Sequence, residues 1–235
     1  NTVATAYLVK PLSLGADIVV NSTSKYINAN SSAISGVITD GGKFKWDTEK
    51  YPGMKDFKKF GPFAYTAKLR NGLFRNTGAC LSPQNAFYNS IGMETLGLRM
   101  ERVCDNAKTL AQFFATEYSD IEVNYPGLAG SKWHNIATEQ FGDKFGGIIT
   151  IRTGNKKRAF GIIDALKLPL IVSNIGDTKT LVIHPESTLN VHSTQEEKET
   201  AGVFDDLIRI SVGIEDIDDL IDDFKQAIES VKDVY

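Results

Sequence analysis

Short apolar runs alternate along this chain with longer stretches in which apolar residues recur every three or four positions. The short runs are rich in β-branched residues and predict strands at 17–20, 36–39, 147–151, 170–172 and 207–212. The helical spacing predicts helices near 62–75, 82–117, 155–166 and 194–201, and a final amphipathic helix from Ile217 to Val231. Strands that alternate with helices are typical of an α/β or α+β architecture.

The longest helical pattern begins at Ser82, a good N-cap residue that is followed by Pro83 at the first helical position. A continuous helix over 82–117 would be about 54 Å long, which is longer than one small domain needs, and Gly92 and Gly97 are positions where it could kink. We therefore expect this helix to connect two domains, at 1–105 and 106–235.

The composition of the 235 residues is that of an ordinary globular protein, with 42% hydrophobic and 23% charged residues. A formal net charge of −3 argues against a nucleic-acid partner, and no nucleic-acid-binding motif accompanies the lysine-rich stretch 43–59. No apolar run approaches the roughly 18 residues of a membrane span, so we expect no membrane partner.

The cysteines and histidines offer no metal site. Cys80 and Cys104 are too far apart for a zinc or redox motif, and the three histidines lack the spacing of a metal-binding helix. Two thiols in a chain of this length suit a reducing compartment, and residues 1–5 lack the features of a signal peptide. These observations predict a cytoplasmic protein without a metal.

Three hydroxyl residues and a lysine, Ser22-Thr23-Ser24-Lys25, directly follow the first predicted strand. Ligands of α/β sheets usually bind where strands end. Hydroxyl groups can donate to a phosphate, and a lysine amine can pair with that phosphate or attack a carbonyl carbon. An ordinary turn with a solvated lysine explains the same residues, so the pattern alone leaves both interpretations open.

Arg209 lies in the middle of the strand predicted at 207–212, on the same face as Leu207 and Ser211. An arginine there either faces solvent or grips a carboxylate with its planar fork of donors. Asn174 lies in a polar loop that directly follows the strand at 170–172, where it could line a pocket or serve a turn. His184 is expected to have a structural role.

Several segments together resemble a known family. Residues 15–26, 36–44, 80–86, 94–102 and 207–216 are similar, in order, to the cysteine/methionine-metabolism family of pyridoxal-phosphate (PLP) enzymes. The likeness covers nearly the whole chain. It implies the α/β fold of the aspartate-aminotransferase type (fold type I). In that fold, 1–105 would be the C-terminal half of the PLP-binding large domain with its connector helix, and 106–235 a smaller α+β domain.

The resemblance also implies roles for five residues. Lys25 matches the lysine that binds PLP covalently and later moves protons on the substrate, and Ser22 and Ser24 match the residues that hold the cofactor phosphate. Arg209 matches the arginine that pairs with the substrate α-carboxylate. Asn174 falls where the family places a small polar residue against the same carboxylate.

Within the family, the likeness is greatest to the branch that replaces the acetoxy group of O-acetylhomoserine with sulfide. This implies γ-replacement that yields homocysteine, or methionine when a thiol is the donor, together with acetate. It further implies a homotetramer of sulfur amino-acid biosynthesis whose active sites are shared between two chains.

The chain departs from the family pattern at identifiable positions. The family usually has His where this chain has Asn21, and a Gly-His-Gly-like run where this chain has residues 28–31. It commonly has Thr-His after the His-Pro-x-Ser segment, where Ser187 is followed by residues 188–190. The aspartate that pairs with the cofactor's pyridine nitrogen precedes an Asn-Thr pair in the family, and this chain opens with Asn1-Thr2. We therefore expect the chain to be the C-terminal part of a longer enzyme.

Two other functions compete with γ-replacement. A γ-eliminating lyase acting on methionine or cystathionine would use the same fold and the same lysine. A non-catalytic scaffold protein could keep the fold alone, but it would have no need of Lys25, Arg209 and the phosphate-binding hydroxyls.

Overall fold

A computed structural model describes residues 1–231 of the chain and divides it into two compact units, Asn1–Met93 and Glu94–Tyr235. The boundary expected after residue 105 falls inside a helix that lies wholly in the second unit. The assignment of 1–105 and 106–235 to two domains of a larger fold stays a prediction, and its last four residues lie outside the described part.

The first unit contains a two-stranded antiparallel sheet at the predicted strand positions. β1 (Ile18–Ser22) pairs with β2 (Gly36–Asp40), from Ile18 opposite Asp40 to Ser22 opposite Gly36. The remaining elements are short helices: α1 (Thr5–Leu8), 3-10 helices at Pro11–Leu14 and Pro52–Phe63, α2 (Ala64–Lys68), a π-helix at Leu69–Phe74, α3 (Arg75–Thr77) and α4 (Pro83–Glu94). The helix predicted near 62–75 is therefore present, with a π-helical middle.

The prediction of a continuous helix over 82–117 is wrong, because the helix is interrupted at one residue, Thr95. α4 ends at Glu94 and α5 (Leu96–Glu117) begins two residues later. Thr95 has φ −107° and ψ 5°, and its hydroxyl accepts a hydrogen bond from Arg99 Nε at 3.1 Å. This ψ lies outside the helical range, so Thr95 is the N-cap position of α5, where its carbonyl accepts the first helical hydrogen bond from Arg99 N at 3.0 Å.

The second unit is a five-stranded sheet covered by helices. Its strands are β3 (Glu122–Asn124), β4 (Ile148–Arg152), β5 (Leu170–Ile171), β6 (Leu181–Ile183) and β7 (Leu207–Ser211). Their order is β3-β4-β7-β6-β5, and every pairing is antiparallel except that of β5 with β6. β7 therefore lies at the centre of the sheet.

Helices α5, α7 (Lys156–Ala165) and α9 (Ile217–Ser230) contribute half of the buried apolar residues of the second unit's core. The described part of this unit also contains α6 (His134–Phe141) and α8 (Gln195–Thr200). Phe114 of α5 meets Phe224 of α9 edge to face at 5.2 Å. Side-chain caps mark the starts of α7 and α8. The Asn155 side chain accepts from Arg158 N, and Thr194 forms a capping box with Glu197.

Within residues 1–231, no helix is long and apolar enough to cross a membrane. The same residues contain no group of three or more His, Cys, Asp or Glu side chains that could hold a metal ion.

Gly92 lets α4 lie directly against the loop that follows Lys25. A Cβ at Gly92 would lie 2.3 Å from the carbonyl oxygen of Ile27 and 2.8 Å from that of Asn28. Both atoms belong to the backbone, so neither can yield without moving the loop. The absence of a side chain at this position therefore sets the distance between the helix and the loop.

We predict that Gly92→Ala lowers the free energy of unfolding by about 1–3 kcal/mol, because the added methyl group overpacks a backbone contact. The matched control is Gly72→Ala, which adds a methyl group in a helical segment with no atom within 4 Å of the new Cβ. That substitution should be neutral or stabilising by up to about 1 kcal/mol. Urea unfolding of the two variants checks the prediction, and equal stability of both would contradict it.

Candidate active site

Lys25 lies in a tight turn that continues directly from β1. Asn28 N donates to Thr23 O at 3.0 Å, and Ala29 N donates to Lys25 O at 3.2 Å. The side chains of Thr23 and Tyr26 are buried, with residue exposures of 6% and 1%, while Lys25 is only half-buried. The two buried side chains anchor the turn and leave the lysine at its accessible side.

The hydroxyl groups of Ser22 and Ser24 flank the lysine but differ in their hydrogen bonds. Ser24 Oγ accepts from Ser35 N at 2.8 Å and donates to Ser35 O at 3.1 Å. No described residue forms a hydrogen bond with the Ser22 hydroxyl, although Ser22 N donates to Thr2 Oγ1 at 2.9 Å. A hydroxyl proton can rotate toward a better acceptor while the oxygen keeps its donor. Two hydroxyl donors beside a lysine therefore fit the phosphate of the expected cofactor.

The loop after the lysine carries backbone strain. Ala29 and Ser31 have φ of 82° and 58°, a left-handed region that glycine adopts at little cost and other residues rarely enter. These positions lie within the stretch that replaces the Gly-His-Gly-like run of the resembled family. The Asn28 side chain supports the loop, because its Oδ1 accepts from Ser32 N at 2.8 Å.

Arg209 lies in the central strand β7 of the second unit, on a face that is covered. Its neighbours on that face, Leu207 and Ser211, are buried, and Arg209 is half-buried. Arg209 Nη2 donates to the backbone carbonyl of Asn174 at 3.1 Å. This burial argues against the solvent-facing alternative, and a role for Arg209 in gripping a carboxylate stays a prediction.

The loop that contains Asn174 is tied to β7 at two points. Besides the Arg209 contact, Gly176 N donates to Ser211 Oγ at 3.0 Å. Gly176 has φ 73°, which allows the chain to turn back toward the strand. The structure thus brings together Arg209 and Asn174, the two residues that the resemblance assigns to the carboxylate.

Two other chemically active side chains of the second unit are held in structural roles. His184 Nε2 lies 2.7 Å from the carbonyl oxygen of Asp205, which can only accept, and its Nδ1 lies 2.9 Å from Ser187 Oγ. Burial raises the pKa of the Cys104 thiol to about 11, so this thiol stays protonated and unreactive at neutral pH.

Sequence reasoning missed the residues that support the lysine turn. Ser35 bonds to both residues before Lys25, and Asn89 of α4 bonds to Ser35. Asn89 and Gly92 are the two buried residues of α4, three positions apart on one helix face. One sequence signal could have identified Asn89 and Gly92. A polar residue and a small residue lie at helical spacing in a helix whose large apolar side chains are exposed.

Comparison with known proteins identifies the family of this chain. The profile of a family described as Cys/Met metabolism PLP-dependent enzymes matches residues 1–229. The chain belongs to this family.

An O-acetyl-L-homoserine sulfhydrylase of Corynebacterium glutamicum is 40% identical to the chain over 248 residues, covering 98% of this chain and 56% of that protein. An L-methionine gamma-lyase of Fusobacterium nucleatum is 38% identical, covering 98% of this chain and 53% of that protein. The chain therefore spans about half the length of these curated relatives.

A solved structure from Campylobacter jejuni, 35% identical, superposes with a TM-score of 0.90 and covers 97% of this chain and 57% of that one. It carries N'-pyridoxyl-lysine-5'-monophosphate, that is, PLP joined to a lysine. The predicted membership in the Cys/Met metabolism PLP family, its fold type and its cofactor are thus confirmed. The relatives include both sulfhydrylases and γ-lyases, so membership in the family does not select the reaction.

The strain at Ala29 gives a prediction that needs no cofactor. Ala29→Gly should raise the free energy of unfolding by up to about 1 kcal/mol, because relief of the left-handed strain exceeds the entropy that glycine adds to the unfolded chain. Ala16→Gly is the matched control, since Ala16 lies in an exposed loop without positive φ. That variant should lose stability, and a loss of similar size at Ala29 would refute the assignment of strain.

Proposed function

We propose that this chain carries the cofactor-binding lysine and the substrate-binding arginine of a PLP-dependent γ-replacing enzyme. The reaction replaces the acetoxy group of O-acetylhomoserine with sulfide or a thiol, giving homocysteine or methionine and acetate. The observation that carries the proposal is the turn at the end of β1, where two serine hydroxyls flank a half-buried lysine. The 40% identity to a named O-acetyl-L-homoserine sulfhydrylase supports this choice of substrate.

Lys25 is proposed to hold the cofactor covalently through Nζ between turnovers. When bound, PLP supplies an electron sink for negative charge at the substrate Cα. Loss of a γ-substituent requires two successive deprotonations, at Cα and then at Cβ. Once the substrate amine has displaced it, the Lys25 amine is the base that reaches both carbons from one flexible side chain.

Ser22 and Ser24 are proposed to donate to the cofactor phosphate. The Ser22 hydroxyl is available without breaking any contact with a described residue. Ser24 must turn its proton away from Ser35 O, but it keeps the hydrogen bond that it accepts from Ser35 N. Ser22 lies in β1 and Ser24 lies in the anchored turn, so the backbone of both residues is held in place. A phosphate bound to both hydroxyls would therefore fix the position of the cofactor relative to Lys25.

Arg209 is proposed to bind the substrate α-carboxylate with its guanidinium group. The loop that contains Asn174 is proposed to orient that guanidinium group. The hydrogen bond from Arg209 Nη2 to Asn174 O fixes one edge of the guanidinium plane. A guanidinium group has five N–H donors in a planar fork, a geometry suited to bidentate pairing with a carboxylate. An orientation set in advance lowers the entropy cost of binding the substrate.

A γ-eliminating lyase is the second candidate, and the 38% identity to an L-methionine gamma-lyase favours it. The same lysine, serines and arginine serve both reactions, because the two diverge only after the γ-substituent has left. A homotetramer, implied by the resemblance, and a cytoplasmic location, inferred from the cysteine content, stay predictions.

The products decide between the two reactions. We expect the purified holoenzyme, given O-acetylhomoserine and sulfide, to form homocysteine and acetate. Formation of 2-oxobutanoate in place of homocysteine, with or without sulfide, would instead establish the lyase. A parallel reaction with L-methionine, assayed for 2-oxobutanoate, completes the comparison.

The role of Arg209 gives a second prediction. Arg209→Ala should keep the visible absorption of bound cofactor but lose about 2–5 kcal/mol of substrate binding, roughly 30-fold or more in kcat/KM. Arg209→Lys should restore little, since a point charge cannot replace the fork. Asn174→Ala keeps the carbonyl that orients Arg209, so its effect should be smaller than that of Arg209→Ala.

These variants are assayed by absorption spectra and by titration with O-acetylhomoserine. The assignment fails if Arg209→Ala loses the cofactor yet binds amino acids with normal affinity.

A further inference from the structure

A buried amide network joins helix α4 to the lysine turn. Asn89 of α4 is 7% exposed. Its Nδ2 donates to Ser35 Oγ at 2.8 Å and to Thr23 Oγ1 at 3.3 Å, and its Oδ1 accepts from Asn28 Nδ2 at 3.3 Å. Thr23 Oγ1 also donates to Ser35 Oγ at 2.6 Å. Both protons of the Asn89 amide and its oxygen are therefore used within this network.

The direction of these hydrogen bonds is fixed by a backbone group. Ser32 N can only donate, and it donates to Asn28 Oδ1 at 2.8 Å. The other end of the Asn28 amide, Nδ2, must then face Asn89, which turns Asn89 Oδ1 toward it. Asn89 Nδ2 consequently points to the two hydroxyls. The Ser32 N–H group therefore determines the orientations of both the Asn28 and the Asn89 amide. Neither amide could be rotated by 180° without breaking these hydrogen bonds.

The network holds the chain on both sides of the lysine. Before the lysine, Thr23 bonds to Asn89 through its side chain, and Ser24 bonds to Ser35, which Asn89 also contacts. After the lysine, Asn28 bonds to the same Asn89 amide. One side chain of α4 therefore bonds to residues on both sides of Lys25.

The close approach of α4 explains why a polar residue stands at this position. Gly92, one helical turn after Asn89, lets the helix backbone come against the loop at Ile27 and Asn28. That contact brings the Asn89 amide into range of the turn. An apolar side chain there would leave the Asn28 amide buried without its partner, which is unfavourable.

We propose that Asn89 is a positioning residue, which fixes the direction from which Lys25 Nζ reaches the Cα proton of the bound amino acid. This inference rests on the proposed role of Lys25, but not on which γ-reaction follows. Asn89 touches neither cofactor nor substrate in this account and acts only through Thr23, Ser35 and Asn28.

The first test uses the protein freed of cofactor. Asn89→Leu should increase amide hydrogen exchange at least 10-fold in the segment 23–35, where Thr23 N and Asn28 N are hydrogen-bonded, and leave β4 and β7 unchanged. Ser90→Leu is the matched control, because Ser90 is exposed on the same helix. Unchanged exchange in 23–35 would overturn the proposal.

The second test uses the holoenzyme and measures exchange of the Cα proton of a bound amino acid with solvent deuterium by NMR. Asn89→Leu should slow this exchange at least 10-fold while the concentration of amino acid for half-saturation changes less than threefold. Thr23→Val, which removes only the linking hydroxyl, should give the same pattern if Asn89→Leu does not fold. Normal Cα exchange in a folded variant, or a change in half-saturation alone, would refute the positioning role.

Cα exchange is independent of the γ-reaction, so it separates the two proposals. Wild-type holoenzyme that exchanges the Cα proton but forms no homocysteine would contradict the proposed reaction and leave the Asn89 test intact.

Discussion

The pairing of Ser35 with the two residues before Lys25 is the interaction on which the candidate site depends. The β1–β2 ladder ends at Ser22 and Gly36, and the next contacts continue it: Thr23 N donates to Ser35 O, and Ser35 N donates to Ser24 Oγ. The sheet register therefore extends into the turn. A lysine on a flexible loop would have to be ordered for each turnover, whereas this one starts from a backbone that is already fixed.

The residues proposed to bind the substrate carboxylate follow the same principle within the second unit. Arg209 lies in the central strand, with neighbours β4 and β6 on either side, so its backbone cannot move without disturbing the whole sheet. The loop with Asn174 is bonded back to that strand through Arg209 and Ser211. Family membership is consistent with this division, because PLP supplies the chemistry and the protein supplies fixed positions. Selection between γ-replacement and γ-elimination would have to come from other groups, since both proposed reactions assign the same roles to Lys25 and Arg209.

Local patterns predicted much of the fold, and long-range contacts account for what they missed. Helical periodicity located α7 and α9, and runs of β-branched residues located β1, β4 and β7. β3 and β6 have three residues each, too few to show an alternation. Lys25 and Arg209 are predicted as site residues because the surrounding segments resemble a family, while each residue alone has an ordinary explanation. Asn89 could not be found in this way, because its partner Thr23 lies 66 positions earlier and only the folded chain brings the two together.

The central claim is that Lys25, in its anchored turn, is the residue that binds the cofactor. The most direct measurement is reduction of the holoenzyme with borohydride, followed by proteolysis and mass spectrometry of the pyridoxyl-labelled peptide. The account predicts that the label is on Lys25, in the peptide that also contains Ser22 and Ser24. A label on any other lysine, or a holoenzyme whose visible absorption survives Lys25→Ala together with full activity, would contradict it.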